Sequence, residues 1–154
     1  MSHYAVAKPL TQSLSESIQE AVTISKYKDF DEFKAGHTQG FYGHNKNPHL
    51  VGTLGHEVHQ AGITKGNKDF KKETNKIAKL TDENWHGKAI EHGAKILNRP
   101  DLEDAAKQVN KEHMKAGHIS GELYKRRNDI GDELHDHATK SLSPPHLKMF
   151  HAAF

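Results

Sequence analysis

Seven of the chain's twelve glycines and five of its fourteen histidines fall between Gly36 and Gly66. The stretch reads GHTQGFYGHNKNPHLVGTLGHEVHQAGITKG. Glycine loses more conformational freedom on ordering than any other residue, and Pro48 has no amide to donate. This segment therefore limits the fold more than any other. Its first half, 36–52, carries Gly36, Gly40, Gly43, Pro48 and Gly52 and is expected to be irregular. A short helix is expected from Thr53 to Gly62. It would set Leu54, Val58 and Ala61 on one face and His56 and His59 on the other. Gly62 and Gly66 are expected to end it. Residues 36–66 are thus predicted to be a Gly/His-rich loop segment between helices.

The flanks read as amphipathic helix. Ser13-x-x-Glu16 is a capping-box pattern that opens a helix over about 11–28. Residues 1–10 precede it as an arm. Asn67 can cap a helix to about Leu80, with Phe70 and Ile77 inward. Thr81, followed by Asp82 and Glu83, opens the next helix, whose Trp85, Ala89, His92 and Ile96 form a stripe. Leu102, Ala106, Val109 and His113 repeat the spacing over 101–116. Leu123, Ile130, Leu134 and Ala138 continue it over 119–140, and Ser143-Pro144-Pro145 is expected to stop that helix. Lys34-Ala35-Gly36-His37-x-x-Gly40 is echoed by Lys115-Ala116-Gly117-His118-x-x-Gly121, expected as a repeated helix stop. No stretch alternates with period two for long. The prediction is one all-α domain over 1–154, an irregular bundle of five or six helices with an apolar C-terminal tail at 141–154.

Composition narrows function. With no cysteine, disulfides and Cys-ligated metal centres are excluded. A net charge of +2 is well short of a strongly basic nucleic-acid binder. No apolar run spans a bilayer and no signal peptide is evident, so a cytoplasmic or virion setting is expected. Apolar residues make up 34% of the chain, low for a self-sufficient core. The tail residues Leu147, Met149, Phe150 and Phe154 suit docking on a protein partner. Lys65, Lys68, Lys71, Lys72, Lys76 and Lys79 form a basic run that could meet a phosphate backbone, although such runs commonly face solvent. The main expectation is a non-enzymatic helical assembly or interaction protein of virion, secretion-apparatus or effector type. It would form homo- or hetero-oligomers, and its many histidines would make the assembly acid-sensitive.

The histidines support an alternative. His56 and His59 are three apart on a helix, share a face and could chelate zinc or another divalent metal. The string His-Glu-Val-His is one residue short of the zincin motif. His44, His49, Leu50-Val51, His56 and His59 loosely resemble the ββα-metal nucleases. That resemblance implies a hairpin with His44 or His49 as general base. It also implies His56 and His59 as ligands of a metal that stabilises charge developing on a phosphodiester. The alternative function is thus a metal-dependent nuclease or hydrolase built on the histidines of 44–59. Glu57, Glu83-x-x-His86, Glu112 and Asp132-x-x-His135 suggest a di-iron bundle only weakly, because His92 and His113 hold the inward positions instead. His92, His113 and His137 are too far apart along their helices to share a site.

Overall fold

The structure, a computed structural model, describes residues 10–154, with side chains from 16 onward. The predicted arm at 1–10 lies outside the described residues but for Leu10, which opens the first helix. Seven helices follow: α1 (Leu10–Tyr27), α2 (Asp31–Phe41), α3 (Leu54–Ala78), α4 (Trp85–Ile96), α5 (Pro100–Ala116), α6 (Gly121–Ser141) and α7 (Pro144–Ala153). There is no strand among the described residues, so the all-α class is correct. No described helix is long and apolar enough to cross a membrane.

The count differs from six at three places, each with a physical cause. Gly36 and Gly40 lie inside α2, and Gly62 and Gly66 lie inside α3, so the predicted loop shrinks to 42–53. The two helices cross at backbone contact there. A Cβ on Gly36, Gly40, Gly62 or Gly66 would lie 2.2 Å from the carbonyl oxygen of His59, Ile63, Phe33 or His37, respectively. Glycines four apart share one helix face, so each pair opens a flat strip for the other helix. The helices these residues were expected to end therefore run on, and α3 fuses two predicted helices into one of 25 residues. The echoed motif behaves differently at its second copy. Gly117 caps α5 in the left-handed region at φ 75°, with nothing near its Cβ position. Finally, Ser143 does not end the chain's helices but starts α7, its hydroxyl accepting from the His146 amide. Pro144 and Pro145 occupy first-turn positions, where a missing amide costs nothing.

Two apolar clusters result. Tyr27, Phe33 and Val58 pack with Ile24 and Ala61 where α1 and α2 meet α3. The larger core joins Phe70 and Ile77 of α3 to Ala89, Ile90 and Ala94 of α4, Leu102 and Ala106 of α5, Leu134 and Ala138 of α6, and Phe150 of α7. The α4 face is wider than the expected stripe: Ala89 and Ile96 are buried as expected, and a second row is buried beside them. Ile90, Ala94 and Leu97 are buried, whereas Trp85 is 41% exposed. The cap at Thr81 is not used. Asn84 instead joins a polar network between α4 and α5, bonding Asn110 and accepting from His113.

The tail docks, and its dock is the chain's own core. Phe150 is fully enclosed, while Leu147, Met149 and Phe154 pack against the same cluster and are partly covered. His146 stacks on Phe70 with ring centroids 4.3 Å apart, and its Nδ1–H donates to the Phe41 carbonyl at 3.0 Å. His135 of α6 lies edge-on to Phe150, Phe154 and His151.

This packing can be tested at its glycines and at its histidines. Gly→Ala inside a helix ordinarily gains about 1 kcal/mol, and Gly131→Ala should do so, since its Cβ meets only Ile90, at 3.4 Å from Cδ1. Gly62→Ala should reverse that sign and lose about 1–3 kcal/mol through overpacking against backbone. Urea denaturation of both variants checks this. Burial, the largest cause, holds the His146 and His135 pKa values below the ordinary histidine value, with His44 and His151, respectively, adding to it. Their stability contribution is complete above the unfolded value of about 6.5 and is lost as pH falls through it toward the folded values. Urea midpoints should therefore drop between pH 7.5 and pH 5. A His135→Gln, His146→Gln double variant should show a flatter profile.

Candidate metal centre

The α2–α3 crossing also sets the site. On α2, Glu32, Gly36 and Gln39 recur at four and three residues, so the face that carries the glycines also points Glu32 and Gln39 at α3. On α3, His59 sits one turn before Ile63 and is 4% exposed. The third element is the 42–53 loop. Asn47 shapes it: its side-chain oxygen accepts from the His49 amide and its nitrogen donates to the His56 carbonyl. Gly52, at φ 89°, makes the turn that returns the chain to α3. Gly55 leaves room for the His49 ring, whose Nδ1 would lie 3.2 Å from a Cβ there.

These elements bring Glu32, His49 and His59 together. His49 Nε2 lies 2.6 Å and His59 Nδ1 2.5 Å from the same Glu32 Oε1. One ligand atom from each of the three lies within 4.8 Å of the other two. The second nitrogen of His59 lies 2.7 Å from Gln39 Oε1. The Gln39 amide nitrogen is already committed to the Lys46 carbonyl, so its oxygen faces the ring. Nε2 of His59 therefore carries the hydrogen, and in the neutral ring Nδ1 presents its lone pair toward a carboxylate oxygen. Either a proton or a cation must occupy the position between them. The bonds from His49, first, and His59 hold the Glu32 carboxyl below the ordinary carboxylate range.

The arrangement has the parts of a divalent-metal site. Two imidazoles and a carboxylate are a common ligand set for zinc and non-haem iron. A ligating histidine characteristically donates its other N–H to a fixed oxygen, and Gln39 supplies that acceptor for His59. An ion with bonds near 2.0–2.1 Å needs ligand atoms roughly 3.3 Å apart, so the present contacts would open by less than about 1 Å. Glu32 and His49 remain over one-third exposed, so solvent reaches the remaining coordination positions.

The other candidate residues are placed elsewhere. His56, the expected partner of His59, turns away and lines a groove of about 570 Å³ between α1 and α3 with Glu57 and Gln60. His44 donates to the Ser141 carbonyl at 2.9 Å and braces the loop against the end of α6. The 42–53 loop carries no strand, so the hairpin that the ββα resemblance requires does not form. His92, His113 and His137 are separate, paired with Glu73, Asn84 and Ser141. Glu32 and Gln39 were missed by sequence reasoning. Their signal was the glycine spacing itself, which marks α2 as a helix and Glu32 as a residue on its contact face.

Comparison with known proteins returns nothing: no family model, no curated protein and no solved structure matches the chain.

Proposed function

We propose that the protein is a metal-binding helical interaction protein, in which a divalent ion at Glu32, His49 and His59 pins the 42–53 loop to α2 and α3. The observation that carries this reading is the Gln39 brace, which turns His59 Nδ1 toward Glu32 and leaves Nε2–H satisfied. Zinc is the first candidate, from the mixed imidazole–carboxylate donors. The ligands come from three separate segments, so the ion would act as a clip. The clipped loop and the first residue of α3 present Leu50, Val51 and Leu54 to solvent, 80%, 86% and 60% exposed. These three side chains suit contact with a protein partner better than the covered tail does.

A second reading is favoured by the solvent access at Glu32 and His49. A metal with three protein ligands keeps a place for water, which a divalent ion can activate for hydrolysis of a phosphodiester. In that reading Glu32, His49 and His59 are ligands, and His44 and His56 take no part in the chemistry.

Zinc titration by calorimetry should give one equivalent bound, abolished in the Glu32→Gln, His59→Gln double variant. Gln39→Leu should weaken binding about 10–100-fold, the usual cost of removing an outer-shell partner. At about a hundred times Kd, zinc should stabilise the fold by about 2.7 kcal/mol, a Tm rise of roughly 5–10 °C for a chain of this size. Absence of stoichiometric binding would overturn the reading. Cleavage of a model phosphodiester by the zinc-loaded protein, abolished in the double variant, would select the hydrolase form; no turnover would leave the clip.

A further inference from the structure

Lys68, Lys71, Lys72, Asn75, Lys76 and Lys79 recur at three- and four-residue steps on α3, an uninterrupted stripe. A charge run of this kind usually forms the solvated face of a helix. Here it lines an open depression of about 450 Å³. Lys76 is shared with the neighbouring depression, about 430 Å³, where Lys88 and Lys95 of α4 and Lys107 of α5 also converge. Eight lysines from three helices therefore border one continuous surface.

The charge on this surface is not balanced locally. Lys68, Lys76, Lys88 and Lys107 pair with Glu20, Glu73, Asp82 and Glu103. Lys71, Lys72, Lys79 and Lys95 are in none of the ion pairs that lysines make among the described residues. Counting those four carboxylates together with Glu91, the face keeps +3 while the whole chain has +2, so the remainder of the molecule is net acidic. Like charges three and four apart on a helix repel. An anionic ligand would remove that repulsion.

We propose that this α3–α4–α5 face binds the phosphodiester backbone of nucleic acid without reading its bases. Lysine ammonium groups are point charges, suited to phosphate oxygens rather than to bidentate base contacts. Among the described residues the one ring lining either depression is that of His92, which is held by Glu73, so the face offers no free platform for stacking bases. A membrane surface fits less well, because an interfacial helix needs an apolar face beside its cations, and of the residues lining this one only Leu80 is apolar. An acidic protein fits less well too, because the face offers no Trp, Tyr or Arg among the described residues to anchor an interface. The site lies on the side of α3 away from His59, and the proposal stands whether or not a metal binds there.

Fluorescence anisotropy with two labelled duplexes of unrelated sequence, at low and at near-physiological salt, tests this. Both should bind at low salt with equal affinity and weaken steeply as salt rises. The variant Lys71→Gln, Lys72→Gln, Lys79→Gln, Lys95→Gln should bind more weakly, its log–log salt slope reduced by about 0.9 for each phosphate it no longer neutralises. Neutralising Lys28, Lys46, Lys125 and Lys148, exposed lysines off this face, should leave affinity within about twofold. The proposal is overturned by no binding at low salt, by equal weakening in both variants, or by marked preference for one duplex. Equal or tighter binding of poly-glutamate or of anionic vesicles would overturn it as well.

Discussion

At the α2–α3 crossing two backbones touch, with no side chain between them. Gly36 and Gly40 meet Gly62 and Gly66, and a Cβ on any of the four would collide with a carbonyl oxygen of the opposite helix. Four helical glycines cost about 4 kcal/mol relative to alanine, so the contact must return at least as much. Dispersion between closely apposed backbones does part of this, and weak Cα–H donors facing carbonyl oxygens add to it. Side-chain pairs join the crossing: the His37 ring donates to Asp69, which also pairs with Lys65. Burial pushes the Asp69 carboxyl up, but Lys65 and His37 together hold it below its ordinary value. Because the spacing is set by backbone, the main-chain positions of Glu32, Gln39 and His59 are held relative to one another, and side-chain torsions alone open the cluster.

That constraint explains what was legible in the sequence and what was not. The helices from α4 to α6 were readable because ordinary apolar periodicity, Leu102–Ala106–Val109 or Leu134–Ala138, decides their burial. The glycine segment was not, because glycine has two opposite uses. It stops a helix when the chain needs φ > 0, as at Gly117, and it continues one when another helix must come close. Local sequence does not separate the two: Lys-Ala-Gly-His occurs at both. Only the pairing of two glycine spacings, 36/40 with 62/66, carries the distinction, and that is a long-range property. The same reasoning covers the site. Sequence proximity suggested His56 with His59, whereas folding joined His59 to His49 and to Glu32, on a different helix.

The histidines follow one rule in several places: a buried or half-buried ring has an oxygen to face. His59 faces Glu32 and Gln39, His92 faces Glu73, and His146 faces the Phe41 carbonyl and Asn67. Among the described residues His59 and His146 are the buried histidines, and imidazole lets each enter the interior by packing as a ring while bonding a polar neighbour. His146 shows both uses, its face on Phe70 and its Nδ1–H on the Phe41 carbonyl of α2.

The 42–53 loop then links the two ends of the molecule. At its start, Gly43 has φ 83°, and a Cβ there would lie 2.1 Å from Ser143 Oγ and 2.6 Å from His146 Cγ. The Tyr42 carbonyl accepts from the Ser143 amide, and His44 donates to the Ser141 carbonyl. This end of the loop is therefore part of the α6–α7 junction. Its other end carries His49 to Glu32. An ion that fixes His49 shortens the free span between these anchors to residues 45–48, where Asn45 and Asn47 are already hydrogen-bonded. Fewer free residues mean less entropy to lose on docking α7, so metal occupancy and burial of the C-terminal helix should favour one another through the loop.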